Sequence, residues 1–182
     1  MRRLLIATSI FLLAGPALAV PPPASGLDGL FARLAKAQTS EDAKPVEKEI
    51  LARFLQSNSA TVDLLMTRAN ALIEANDADT AARILDAVTR LAPTYAEGWH
   101  QKGKLEADAG KDEAAMVSLQ KAVNLNPREF EAHVDLGEML VQYGAKPAGL
   151  AEFKKALALD PQYDGLDRRV EQLARDVEGE KI

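Results

Sequence analysis

Residues 96–129 read AEGWHQKGKLEADAGKDEAAMVSLQKAVNLNPRE. The window holds two apolar, helix-period stretches on either side of Gly110-Lys111-Asp112, and it closes on Asn126-Pro127. Its landmarks recur at a constant distance. Pro93, Pro127 and Pro161 stand 34 residues apart, each two positions after a leucine (Leu91, Leu125, Leu159). The same step relates Asn76, Gly110 and Gly144, then Ala81, Ala115 and Gly149, then Leu85, Leu119 and Phe153. So many columns at one period mark a repeat of one supersecondary unit, with copies at 62–95, 96–129 and 130–163.

Each column has a physical task. Asn76, Gly110 and Gly144 fall where a first helix should stop, and asparagine and glycine accept the left-handed conformation of a helix C-cap. Asp79 and Glu113 then open the second helix, where carboxylates suit the dipole, and Pro147 takes the first-turn place in the third copy. The residue before each proline is pushed out of the α region, so the second helices should end near Ala92, Asn126 and Asp160. Ala69, Gly103 and Gly137 lie midway along the first helices. A glycine there costs about 1 kcal/mol relative to alanine, so its recurrence implies close helix–helix approach. Val88, Ala122 and Ala156 form a further small column.

The period and the small-residue columns resemble the tetratricopeptide repeat, with Trp99 at the family's tryptophan position and Leu65 and His133 replacing it in the flanking copies. Leu72 and Leu140 keep a large apolar residue at the family's tyrosine position, and Glu106 departs from it. The resemblance covers residues 62–163. It implies an all-α fold, a right-handed superhelical array of antiparallel helix pairs whose first helices line a concave groove. Carried over by position, the groove residues are Met66, Asn70, Ile73, His100, Gln101, Lys104, Glu131, Val134, Asp135 and Glu138. Some relatives clamp a peptide's terminal carboxylate with lysine, asparagine and arginine. Asn70 matches one clamp position, but Met66, Glu131 and Asp135 stand where the cations would be, so a ligand with basic or neutral residues is expected instead.

The flanks extend the pattern. Leu27, Leu30, Phe31 and Leu34, then Ile50, Leu51, Phe54 and Leu55, carry helical spacing, so 27–61 reads as a degenerate helix pair with Pro45 in the first turn of its second helix. The backward frame puts Glu47 where an alanine belongs. Residues 164–182 should hold a charged capping helix through Leu166, Val170, Leu173 and Val177. At the other end, Arg2-Arg3, an apolar run over 4–14 and Ala17-Leu18-Ala19 have the form of a secretory signal over 1–19, cleaved before Val20. Pro21-Pro22-Pro23 makes 20–26 an extended linker. A retained signal would tether the chain to a membrane instead.

Composition narrows the chemistry. The chain has 182 residues, 32 of them alanine, and aromatics at 5%, a balance that favours helices over a β fold. There is no cysteine, which removes disulfides, thiolate metal sites and a lipid anchor. A net charge of −5 argues against a nucleic-acid partner. No phosphate loop or nucleophile elbow occurs. His100 and His133 read as one groove-facing and one packed histidine, without a carboxylate or second histidine at metal-ligand spacing. The expectation is therefore a periplasmic, non-catalytic adaptor or scaffold with no cofactor, metal or catalytic residue, binding one or more envelope proteins or peptides. The alternatives are a self-associating or membrane-tethered component, or an accessory chaperone of envelope biogenesis.

Overall fold

The computed structural model describes residues 26–179, so the expected signal sequence and all but the last residue of the proline-rich linker lie outside the described residues. These residues form nine helices and no strand: α1 (Leu27–Leu34), α2 (Ser40–Phe54), α3 (Ala60–Glu74), α4 (Ala78–Leu91), α5 (Ala96–Asp108), α6 (Asp112–Leu125), α7 (Phe130–Gln142), α8 (Lys146–Leu159) and α9 (Leu166–Gly179). None of the described helices is long and apolar enough to cross a membrane.

The three copies of the period are the pairs α3/α4, α5/α6 and α7/α8, stacked in chain order into an α-solenoid. Each first helix stops as its cap residue demands. Asn76, Gly110 and Gly144 have φ of 59°, 68° and 78°. The next residue's N–H then reaches back to Leu72, Glu106 or Leu140, each bond at 2.8 Å. These bonds satisfy carbonyls that a helix end would otherwise leave bare. The second helices end at Leu91, Leu125 and Leu159, with Ala92, Asn126 and Asp160 as C-caps.

Small residues let the helices of a pair touch. A Cβ on Gly103 would lie 2.7 Å from Leu119 Cγ, and one on Gly137 would lie 2.5 Å from Phe153 Cε1. Both are far inside van der Waals contact, so no larger residue fits without displacement. The departure at Glu106 is accommodated by polar partners: its carboxylate accepts from the Ser118 hydroxyl at 2.6 Å and lies 3.7 Å from Lys102 Nζ.

The ends depart from a simple stack. Helix α2 starts at Ser40 on a Thr39 cap, whose Oγ1 accepts from the Asp42 N–H at 3.2 Å, so Pro45 sits in the second turn rather than the first. The pair α1/α2 does not stack before α3 as a fourth repeat. Its apolar residues Leu30, Phe31, Leu34, Val46, Ile50 and Phe54 share one core with Phe130, Phe153, Leu166, Leu173 and Val177 of α7–α9. The first helices are thus closed against the far end of the array. The C-terminal half of α2 and the turn after it meet the start of α5, where the Tyr95 hydroxyl donates to the Leu55 carbonyl at 2.9 Å. Glu47 comes against Asp160, so that two carboxyl groups crowd one another. Helix α9 buries Leu166, Leu173 and Val177 and turns its charges outward.

Candidate functional site

The strongest concentration of polar chemistry lies where α5 meets α7. Glu97 and His100 are three residues apart in the first turns of α5, so they share a face. Glu129 is the N-cap residue of α7, and Asp135 lies on α7 itself. Stacking of the second and third pairs brings all four together. His100 Nε2 is 2.7 Å from Asp135 Oδ2, and Nδ1 is 3.1 Å from Glu129 Oε1 and 3.5 Å from Glu97 Oε2. An ionised carboxylate only accepts, so Asp135 takes the Nε2–H and leaves Nδ1 facing two glutamates. The second oxygen of each glutamate is held elsewhere. Gln101 Nε2 donates to Glu97 Oε1 at 2.7 Å, and Asn126 Nδ2 donates to Glu129 Oε2 at 3.4 Å. Glu129 is 0% exposed, and its Oε1 receives no hydrogen bond.

The electrostatics follow from crowding three carboxylates round one imidazole. Burial alone would lower the affinity of His100 for its proton, but Asp135, Glu129 and Glu97 outweigh it and raise the group well above its ordinary value. Burial would raise Glu97, yet hydrogen bonds from His100 and Gln101 hold it below the usual range. Burial together with the Glu97 carboxylate lifts Glu129 to about 7, against the opposing pull of His100. Above this cluster opens a cleft of about 330 Å³, lined by Glu97, Glu129, Tyr95 and Asn126 on one side and by Arg53, Phe54 and Ser57 on the other. The walls therefore come from the array and from the folded-back α2.

The ten residues carried over by position do not form one surface. Met66 is 2% exposed in the core of α3 and α4, and His100 is 1% exposed inside its carboxylate cage. Neither can meet a ligand on an open groove, which corrects both assignments. Glu131 and Val134 are half-buried, and Val134 packs against the core shared with α1 and α2. Gln101 and Asp135 serve the cluster. Lys104, Asp135 and Glu138 line an open depression of about 170 Å³ floored by Leu119 and Met139, with Asp108 and Gln142 beside them. Glu138 also accepts from Arg169 of α9 at 3.1 Å. Asn70 and Ile73 are half-buried on α3 and line neither cavity.

The sequence reading missed two things. Glu97 stands at helical contact spacing before His100, which is a carboxylate within ligand reach. Glu129 breaks a column otherwise occupied by Tyr95 and Tyr163, and a lone carboxylate in an aromatic column is a signal in the sequence. His133, the second histidine, is buried as expected, with Nδ1 2.6 Å from Glu152 and Nε2 3.1 Å from the Pro127 carbonyl.

Comparison with known proteins bears on the fold. A family model described as tetratricopeptide repeat matches residues 96–129. A TPR repeat-containing protein of Rhizobium etli is 28% identical over 159 residues, covering 87% of this chain and 78% of the relative. Among solved structures, the chain is similar to the Thermobaculum terrenum O-GlcNAc transferase at 29% identity and a TM-score of 0.58, over 63% of this chain but only 22% of that one. It also matches the Yersinia enterocolitica type III secretion chaperone SycD in complex with a peptide of the translocator YopD. That match has 18% identity and a TM-score of 0.60 over 68% of this chain and 97% of the chaperone.

Proposed function

Because this chain is a tetratricopeptide-repeat protein, we propose that it is a non-catalytic adaptor of the bacterial cell envelope that holds a segment of a partner protein between α5 and α7. The carrying observation is the open depression in which Lys104, Asp108, Asp135, Glu138 and Gln142 rim an apolar floor of Leu119 and Met139. Three carboxylates to one ammonium favour a segment with basic or neutral side chains, and the apolar floor offers burial for one aliphatic anchor. The Yersinia chaperone, similar in fold, was solved with a peptide bound, which supports protein binding as the class of activity. The pattern over residues 1–19 supports an envelope address.

The test is in-cell crosslinking from a photoreactive residue at Gln142, with Arg90 on α4 as the control position. A discrete partner should appear only from Gln142, and it should vanish in Asp108→Lys/Glu138→Lys protein of unchanged helicity. Capture that is equal from both positions, or untouched by the charge reversal, would overturn the groove assignment. Asp135 is left intact in this experiment because it also holds His100.

A further inference from the structure

We propose that Glu97, His100 and Glu129 form a binding site for a divalent transition metal of the zinc class, with the adjoining cleft giving access to its fourth position. The three ligand atoms all lie within 4.8 Å of one another. His100 Nδ1 is 3.1 Å from Glu129 Oε1 and 3.5 Å from Glu97 Oε2. Zinc bonds of about 2.0–2.1 Å arranged tetrahedrally give ligand–ligand edges of about 3.4 Å, so these separations suit a shared ion.

Every ligand is oriented by a second contact. Asp135 takes the Nε2–H and leaves Nδ1 as the ring atom aimed into the cluster, where a bound ion would displace the ring's second proton, the carboxylate–histidine–metal arrangement of built sites. Gln101 occupies Glu97 Oε1, and Asn126 occupies Glu129 Oε2. The oxygens that remain are the two that face Nδ1. One of them, Glu129 Oε1, belongs to a fully buried side chain, accepts no hydrogen bond from any amide or hydroxyl, and has the His100 ring at 3.1 Å as its neighbour, so it is free to turn to a cation held between them. The cleft of about 330 Å³ reaches Glu97 and Glu129 from outside, which provides an entry path and room for a water or a partner side chain as fourth ligand.

The donor set selects the ion. One imidazole nitrogen with two carboxylate oxygens suits zinc and its neighbours, whereas calcium takes six to eight oxygens and magnesium prefers to keep its water. The ion would tie α5 to the start of α7, joining the second and third pairs.

The experiment uses the metal-stripped full chain, titrated with Zn²⁺ by calorimetry and with Co²⁺ by visible absorption. One equivalent should bind saturably, and Co²⁺ should develop the intense bands of a four-coordinate ion. Glu129→Gln keeps shape and should weaken binding at least 10-fold, as should Asp135→Asn through orientation alone. His133→Gln should bind like the parent, and circular dichroism establishes that each variant is folded. Absence of saturable binding, or equal affinity in Glu129→Gln and the parent, would overturn the site. Loss of binding on His133→Gln with retention on Glu129→Gln would do the same.

Discussion

Arg128 and Asp28 meet at 2.6 Å although 100 residues separate them in the chain. The same guanidinium lies 4.1 Å from the centroid of the Phe31 ring. A side chain at the turn before α7 therefore fastens the first helix. The exposed ion pair is a minor part of this, worth well under about 1 kcal/mol, and the buried ring is the major part. Phe31→Ala should cost about 3 kcal/mol and Asp28→Asn about 0.5 kcal/mol or less. Amide exchange in Phe31→Ala should show α1 and α2 losing protection while α5 and α6 keep theirs. Uniform loss throughout would mean that the pair is not a separable layer.

Gly137 tests the packing inside the third pair. Its missing Cβ would stand 2.5 Å from Phe153 Cε1. Gly137→Leu should lower stability by about 1–3 kcal/mol or more, read as a fall in melting temperature. Gly137→Ala combined with Phe153→Leu should recover part of the loss that Gly137→Ala suffers alone. Such recovery is expected of two residues in contact, and strict additivity would contradict the close approach.

Glu47 predicts a pH effect with a definite sign. Burial, then the Asp160 carboxyl beside it, raises Glu47 to about 7 from the ordinary 4.5, and burial raises Asp160 as well. A carboxyl whose value is higher in the folded state stabilises the fold most fully below its unfolded value. That contribution is lost as pH rises from about 4.5 through about 7. Urea midpoints should therefore fall between pH 5 and pH 8. In Glu47→Gln this part of the fall should disappear, making the variant the more stable protein at pH 8 relative to the parent. A parallel pH dependence in both proteins would refute the assignment.

The N-terminal pattern makes a prediction about processing. Intact mass of the protein recovered from cells should place Val20 first, in the soluble envelope fraction. Recovery of Met1 in the membrane fraction would favour a tether.

The repeat was legible because each of its columns answers a local demand. A left-handed cap needs glycine or asparagine at 76, 110 and 144, and a close crossing needs a small residue at 103 and 137, whatever lies elsewhere. The ends of the second helices were readable for the same reason, from the prolines that follow them. The partner of α2 was not legible. Val46, Ile50 and Phe54 make one apolar stripe that fits α3 or α7–α9 equally well, and periodicity states which face is buried but not against what. Glu47 was the visible anomaly, and its role depends on Asp160, which chain spacing cannot reveal. The carboxylate cage lay between these cases. Glu97 and His100 declare themselves by spacing within one helix, but Glu129 and Asp135 reach them only through stacking.

The core that unites Leu30 and Phe31 with Leu173 and Val177 also has a bearing on time. During synthesis α1 and α2 emerge well before the surface that covers them. In a repeat array order can nucleate at any pair and spread to its neighbours. Here Phe31 and Phe54 of α1 and α2 have only each other until α7–α9 exist, so the slowest contacts to form are those of greatest separation. The core cannot close early, and α9 is the latch that lets α1 settle.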